Sequence, residues 1–101
     1  MEFEILFHDE ADMEYFESFI WYEKQQAGLG EKFLNQIENI FDRIQKNPEH
    51  YPSKRKNYRE AVVSIFPFVI VYQVFRNDSL IYISSVYHGS RNPKTKYRKK
   101  V

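Results

Sequence analysis

The chain has 101 residues and a formal net charge of +1, a length that fits one domain with a single core. Hydrophobic residues make up 43% of it and aromatic residues 18%, which excludes a disordered chain. The sequence contains no cysteine, so a disulfide scaffold, a cysteine-ligated zinc site and a thiol nucleophile are all excluded.

The charges are divided unevenly between the two halves of the chain. Residues 1–50 carry twelve acidic and four basic side chains, whereas residues 51–101 carry two acidic and eleven basic ones. The basic half suits an anionic partner, with nucleic acid as the first candidate. The alternative is that the two halves fold together and neutralise each other across a solvated surface.

The N-terminus and the longest apolar stretch both bear on localisation. The first residues are acidic and polar, and they lack the basic start and apolar run of a signal peptide. No apolar stretch approaches the roughly 20 residues of a membrane span, because polar residues interrupt the longest one, Ala61 to Phe75. We therefore expect a soluble cytoplasmic protein without a membrane partner.

A strand and a first helix are predicted at the start of the chain. Apolar residues alternate from Phe3 to Phe7, which predicts the strand. The first helix opens at His8 to Ala11, with Asp9 as its N-cap. One side of this helix is expected to lie in the core, and its residues are Met13, Phe16, Phe19, Ile20 and Glu23.

The second helix carries the strongest helical pattern of the chain. Gly28 and Gly30 indicate the end of the first helix and a tight turn. Apolar residues then recur at i, i+3, i+4 and i+7 from about Glu31 to Gln45, and Asn47-Pro48 ends the helix. The short connection predicts an antiparallel helical hairpin.

Three strands and a basic tail are predicted in the second half. A basic loop, Tyr51 to Asn57, precedes strands at Tyr58 to Phe66, Phe68 to Phe75 and Leu80 to Tyr87. Tight turns join them, so an antiparallel meander is expected. Residues 94–101 form a basic tail that is free to fray. We therefore predict one α+β domain over residues 1–101, in the order β-α-α-β-β-β, with the helical hairpin on one face of an antiparallel sheet.

Five segments carry a resemblance to a known protein family. In chain order they are Trp21-Tyr22-Glu23 with Gly28 to Leu34, Ile44 to Pro52, Arg59 at the start of a strand, Phe66-Pro67-Phe68 with Ile70-Val71-Tyr72, and Val86 to Pro93 with its His-x-x-Arg turn. In this order and spacing the sequence resembles the RelE/ParE family of bacterial toxins over nearly the whole chain.

The resemblance implies a toxin from a type II toxin–antitoxin pair of the plasmid-stabilisation kind, neutralised by a cognate antitoxin protein. One branch of the family cleaves mRNA on the ribosome, another inhibits DNA gyrase, and some members have no clear toxicity. Trp21-Tyr22 with Gly28-Leu29-Gly30 is more similar to the ParE side. We therefore favour a non-enzymatic gyrase inhibitor. A ribosome-dependent mRNA endonuclease and a non-toxic module that binds an antitoxin or nucleic acid are the alternatives, as are a homodimer and a toxin–antitoxin hetero-oligomer.

The endonuclease alternative makes specific demands on the residues. Cleavage of this kind uses the ribose 2′-hydroxyl as the nucleophile and needs an acid or base and phosphate-binding cations, but no metal or other cofactor. His88 suits the acid or base role, and Arg59 and Arg91 suit the phosphate. We expect the meander to bring these three residues together. The RNA-cleaving branch also has an arginine in the central strand, where this chain has Phe68-Val69-Ile70.

The predicted binding residues lie in the basic loop and the tail. They are Lys54, Arg55, Lys56, Lys94, Lys96 and Tyr97. Each part of the predicted site also has a purely structural interpretation: His88 as a turn residue bonded to the backbone, Arg59 as the partner of an acidic group, and the tail as a solvated end.

Overall fold

The computed structural model describes residues 2–100. In chain order the elements are β1 (Glu4–Phe7), α1 (Asp9–Gln25), α2 (Leu29–Lys46), β2 (Ser53–Arg55), β3 (Tyr58–Val62), β4 (Phe68–Phe75) and β5 (Leu80–His88), with short 3₁₀ turns at Arg76–Asp78 and Pro93–Thr95. None of the helices within residues 2–100 combines the length and apolar character that a membrane span requires.

The five strands form one sheet in the order β1-β5-β4-β3-β2. Strands β3, β4 and β5 are the predicted antiparallel meander, and the α+β class is confirmed. The predicted all-antiparallel sheet is wrong at β1, which pairs in parallel with β5 from Glu4 beside Leu80 to Phe7 beside Ile83. The connection from β1 to β5 runs through the helical hairpin and strands β2 to β4, which gives the long crossover that a parallel pair requires.

The predicted basic loop contains a strand that sequence patterning missed. Strand β2 pairs antiparallel with β3 and places Ser53 beside Arg59. Lys56 takes a positive φ of 49° in the turn, and the Ser53 hydroxyl donates to the Lys56 carbonyl at 2.7 Å. All three residues of β2 are exposed, so no alternation of apolar and polar residues marks it.

Helix α2 buries the apolar face that its periodicity predicts. The buried side chains on this face are Phe33, Ile37, Ile40, Phe41 and Ile44. They pack against the inner face of the meander, which contributes Ala61, Ile70, Tyr72, Ile81, Ile83 and Val86. This cluster is the main core of the protein.

Helix α1 faces the core differently from its prediction. Met13 is 58% exposed and Phe16 is 63% exposed, whereas the buried positions are Ala11, Glu14 and Ser18. Met13 follows Ala11 by two residues, which turns its side chain about 200° away from the core. The N-cap is His8, whose Nδ1 accepts from the Glu10 backbone N–H at 3.0 Å, instead of Asp9.

Candidate functional site

The basic tail lies against the sheet face opposite to the helices. The hydroxyl of Ser85 donates to the Lys96 carbonyl at 2.8 Å, and the backbone N–H of Arg98 donates to the Ser84 hydroxyl at 2.6 Å. The Tyr97 ring packs edge-on against Tyr58, with 5.2 Å between the ring centres. These contacts give the tail a defined path over β3 and β5.

A buried carboxylate anchors the tail from below. Glu60 of β3 is buried, the Tyr97 hydroxyl donates to its carboxylate, and the Lys96 ammonium lies 3.1 Å from its Oε1. Burial lowers the pKa of Lys96, but the hydrogen bond and charge of Glu60 outweigh burial and leave that pKa raised. Burial and the Glu60 carboxylate both raise the pKa of Tyr97.

A groove of about 700 Å³ separates the β2–β3 turn from the tail. Four of the predicted binding residues line it: Arg55, Lys56, Lys94 and Tyr97. Lys54 and Lys96 do not, and Lys96 is engaged with Glu60. Lys99 and Lys100 line the groove as well. Sequence reasoning missed these two, although the basic run at residues 98–100 was a visible signal.

Arg59 lies apart from the two other predicted catalytic residues. Its Nη1 donates to the carbonyls of Tyr51 at 2.7 Å and Glu49 at 3.2 Å. Arg59 pairs with Tyr72 in the middle of β4, whereas His88 pairs with Phe68, the first residue of β4. Four residues of strand correspond to about 13 Å. The meander therefore does not bring Arg59 to His88, because the register offsets them by four residues along β4 and the width of β4 separates their strands.

His88 and Arg91 do share one cavity. The cavity has a volume of about 320 Å³, and α1 contributes Trp21 and Glu17 to its wall. The His88 Nδ1 accepts from the Ser90 backbone N–H at 3.0 Å, as in the structural interpretation of this residue. Arg91 is 43% exposed, and its Nη1 lies 3.8 Å from the buried Glu14 carboxylate.

Within residues 2–100, no group of three or more histidine, cysteine or acidic side chains is arranged to hold a metal ion. Two places in the described chain gather predicted site residues. One is the basic groove on the outer face of the sheet, and the other is the cavity of His88 and Arg91 beside α1.

Comparison with known proteins identifies the family. No curated protein matches the sequence significantly. The model of the family described as the ParE toxin of the type II toxin–antitoxin system, parDE, matches residues 5–93, from β1 to the second 3₁₀ turn. This match covers most of the chain and stops just before the basic tail. The chain belongs to the ParE toxin family of type II toxin–antitoxin systems.

Proposed function

We propose that this chain arrests growth by inhibiting DNA gyrase and that a cognate antitoxin neutralises it. Membership of the ParE toxin family supports the toxin role and implies the antitoxin partner. The choice of gyrase over mRNA rests on one observation, which is the separation of Arg59 from His88 and Arg91.

Cleavage of RNA requires the acid or base and the cations to reach the same phosphate, within hydrogen-bonding distance of its oxygens. The Arg59 guanidinium instead donates to two backbone carbonyls, at the position of β3 that pairs with Tyr72. The first part of β4 adds no cation, since Phe68-Val69-Ile70 is apolar. A non-enzymatic mode of inhibition needs none of these groups to converge, so it fits this arrangement better.

Ribosome-dependent mRNA cleavage is the second candidate. The observation that favours it is the shared cavity of His88 and Arg91, whose wall contains both an imidazole and a guanidinium. A non-toxic module that only binds an antitoxin would act on no target, so neither the cavity nor the groove would be needed for its role.

Two assays on the purified chain separate these functions. The first assay measures the supercoiling of relaxed plasmid by gyrase and ATP. The second maps mRNA cuts by primer extension after a reconstituted translation reaction, with a ribosome-free control. We expect loss of supercoiling with the messenger intact. His88→Ala and Arg91→Ala should both retain the inhibition, because neither residue is assigned a chemical step in it.

The opposite pattern would overturn the gyrase proposal. Cuts that appear with translating ribosomes, and that vanish in His88→Ala, would establish the endonuclease instead. A chain that leaves supercoiling, translation and bacterial growth all unaffected would be the non-toxic module.

A further inference from the structure

The basic groove has two walls and a floor of different origin. The β2–β3 turn forms one wall with Arg55, Lys56 and Asn57, and the tail forms the other with Lys94, Tyr97, Lys99 and Lys100. The floor includes Tyr58, Gln73 and Phe75 of the sheet. The tail wall lies outside residues 5–93, so this groove is not contained in the part of the chain that matches the ParE family.

Among residues 2–100, five cations line the groove and no carboxylate does. The five are Arg55, Lys56, Lys94, Lys99 and Lys100. The ion pairs within residues 2–100 engage Arg76, Arg91, Lys96 and Arg98, which are all other cations. The positive charge of the groove is therefore left uncompensated by ion pairs in the described chain, which is the arrangement expected where the counter-charge comes from a ligand.

The backbone of the tail wall is held in position before any ligand arrives. The Tyr58 hydroxyl donates to the Arg98 carbonyl at 3.2 Å, and the Ser85 hydroxyl donates to the Lys96 carbonyl at 2.8 Å. Arg55 lies over the Tyr97 ring at 5.1 Å and so connects the two walls. A site with fixed walls loses less conformational entropy on binding than a free basic tail would.

We propose that this groove binds a chain of phosphates, as presented by a single strand of nucleic acid or by inorganic polyphosphate. Such chains carry closely and regularly spaced negative charges, which match several cations around one groove, and arginine offers a planar fork to phosphate oxygens. An acidic protein segment suits the groove less well, because tight protein contacts rely on buried apolar anchors, whereas five of the eleven lining residues are cations. The proposal does not depend on gyrase being the target.

The test measures the affinity of a labelled oligo-dT strand for the full chain by fluorescence anisotropy, at NaCl concentrations from about 50 to about 200 mM. Each phosphate neutralised on a single strand contributes about −0.7 to the slope of log K against log salt, so five contacts give about −3.5. The affinity should then fall about 100-fold over this range.

Two variants and a matched control make the test specific. The double variant Lys99→Ala/Lys100→Ala should weaken binding and reduce the slope by about 1.4. Lys56→Asn should reduce it by about 0.7 and keep the turn, because asparagine tolerates the positive φ of this position. The control Lys24→Ala/Lys32→Ala removes two positive charges from exposed positions of the helices. It should change neither the affinity for the strand nor the salt slope.

Competitors identify the chemistry. Unlabelled polyphosphate should displace the strand, and a preference for unlabelled oligo-dT over polyphosphate of equal charge would assign the site to nucleic acid. Absence of binding at the lowest salt, equal losses in the helix control, or equal competition by polyglutamate of the same charge would each overturn the proposal. Supercoiling inhibition is measured separately, so either proposal can fail while the other stands.

Discussion

The guanidinium of Arg98 donates two hydrogen bonds to the carboxylate of Glu14, at 3.1 and 2.9 Å, and so joins the tail to α1 across 84 positions of the sequence. The same carboxylate accepts from the backbone N–H of Val86 at 3.0 Å. Strand β1 pairs with β5 as far as Ile83, so Val86 lies on the part of that edge beyond β1. The Glu14 carboxylate of α1 thus takes the place of a neighbouring strand there, and Arg98 of the tail neutralises its charge.

Removal of this arginine should destabilise the whole domain. The side chains of Glu14 and Arg98 are 4% and 12% exposed, and Arg98→Ala leaves the buried carboxylate without its bidentate partner. Breaking a buried pair in this way costs about 3–5 kcal/mol. We expect a loss of about this size in the free energy of unfolding, measured by urea denaturation.

An exposed ion pair of the same chain provides the control. The side chains of Arg76 and Glu49 are 58% and 50% exposed, so Arg76→Ala should cost about 1 kcal/mol or less. Equal losses for Arg98→Ala and Arg76→Ala would show that the buried cluster contributes no more than a surface pair.

The two helices show what the sequence could and could not predict. Helix α2 is apolar on one face, so its pattern predicts both the helix and the side that it buries. Helix α1 has apolar residues on both sides, and periodicity cannot say which side faces the sheet. The buried side carries Ala11, Glu14 and Ser18, because α1 packs closely against β5 and anchors it through a carboxylate.

The candidate site was predictable in its composition more than in its geometry. The basic character of the loop and tail is visible in the sequence, and four of the six predicted binding residues line one groove. The separation of Arg59 from His88 follows from the strand register, which alternation alone does not fix for a sheet buried on both faces. The docking of the tail depends on Glu14 and Glu60, whose partners are remote in sequence.

Arg59 should behave as a structural residue. Its hydrogen bonds to the Tyr51 and Glu49 carbonyls hold the segment between α2 and β2. Hydrogen bonds from a charged donor contribute about 1.5–3 kcal/mol, so Arg59→Ala should lower the free energy of unfolding by about that amount. Arg59→Lys should recover part of the loss, since its single ammonium cannot reproduce the planar fork.

The same variants test the catalytic role that the sequence predicts for Arg59. At a temperature where both remain folded, each should inhibit its target as well as the parent chain does. An Arg59→Lys variant with full stability and no activity would instead place this arginine at the target.

Gly30 should be far more sensitive to substitution than Gly89. An alanine Cβ at Gly30 would lie 2.7 Å from the Phe19 carbonyl oxygen and 2.9 Å from the Glu23 Cβ, because α2 begins in contact with α1. Forcing such contacts costs about 1–3 kcal/mol. At Gly89 the nearest atom would be 3.7 Å away, so Gly89→Ala should change the free energy of unfolding by about 0.5 kcal/mol or less.

Urea denaturation of the two glycine variants checks this prediction directly. Gly28→Ala adds a second contrast, since Gly28 has open space but a φ of +90° and should cost about 1–2 kcal/mol through backbone strain alone. Equal stability of Gly30→Ala and Gly89→Ala would mean that the helical hairpin opens without cost at this point.

Stability should fall at alkaline pH, and Tyr72 should carry part of the loss. Burial raises the pKa of Tyr72 well above its ordinary value of 10.0 and outweighs the opposing charge of Arg59. As pH rises above about 10, the unfolded chain loses this phenolic proton while the folded chain keeps it, so folding binds more protons and the free energy of unfolding falls. The contribution is fully present below the unfolded pKa and is lost as pH rises towards the folded one.

Tyr72→Phe separates the titration from the packing. The Tyr72 hydroxyl donates to the Pro48 carbonyl at 2.6 Å, so the variant should lose about 1–2 kcal/mol at neutral pH. Between about pH 10 and 11, its free energy of unfolding should decline less steeply than that of the parent, by about 1 kcal/mol per pH unit, because one titrating proton is gone. Met13→Leu, at an exposed position, should keep the parental slope. Parallel pH profiles for Tyr72→Phe and the parent would show that this phenol ionises equally in the folded and unfolded chains.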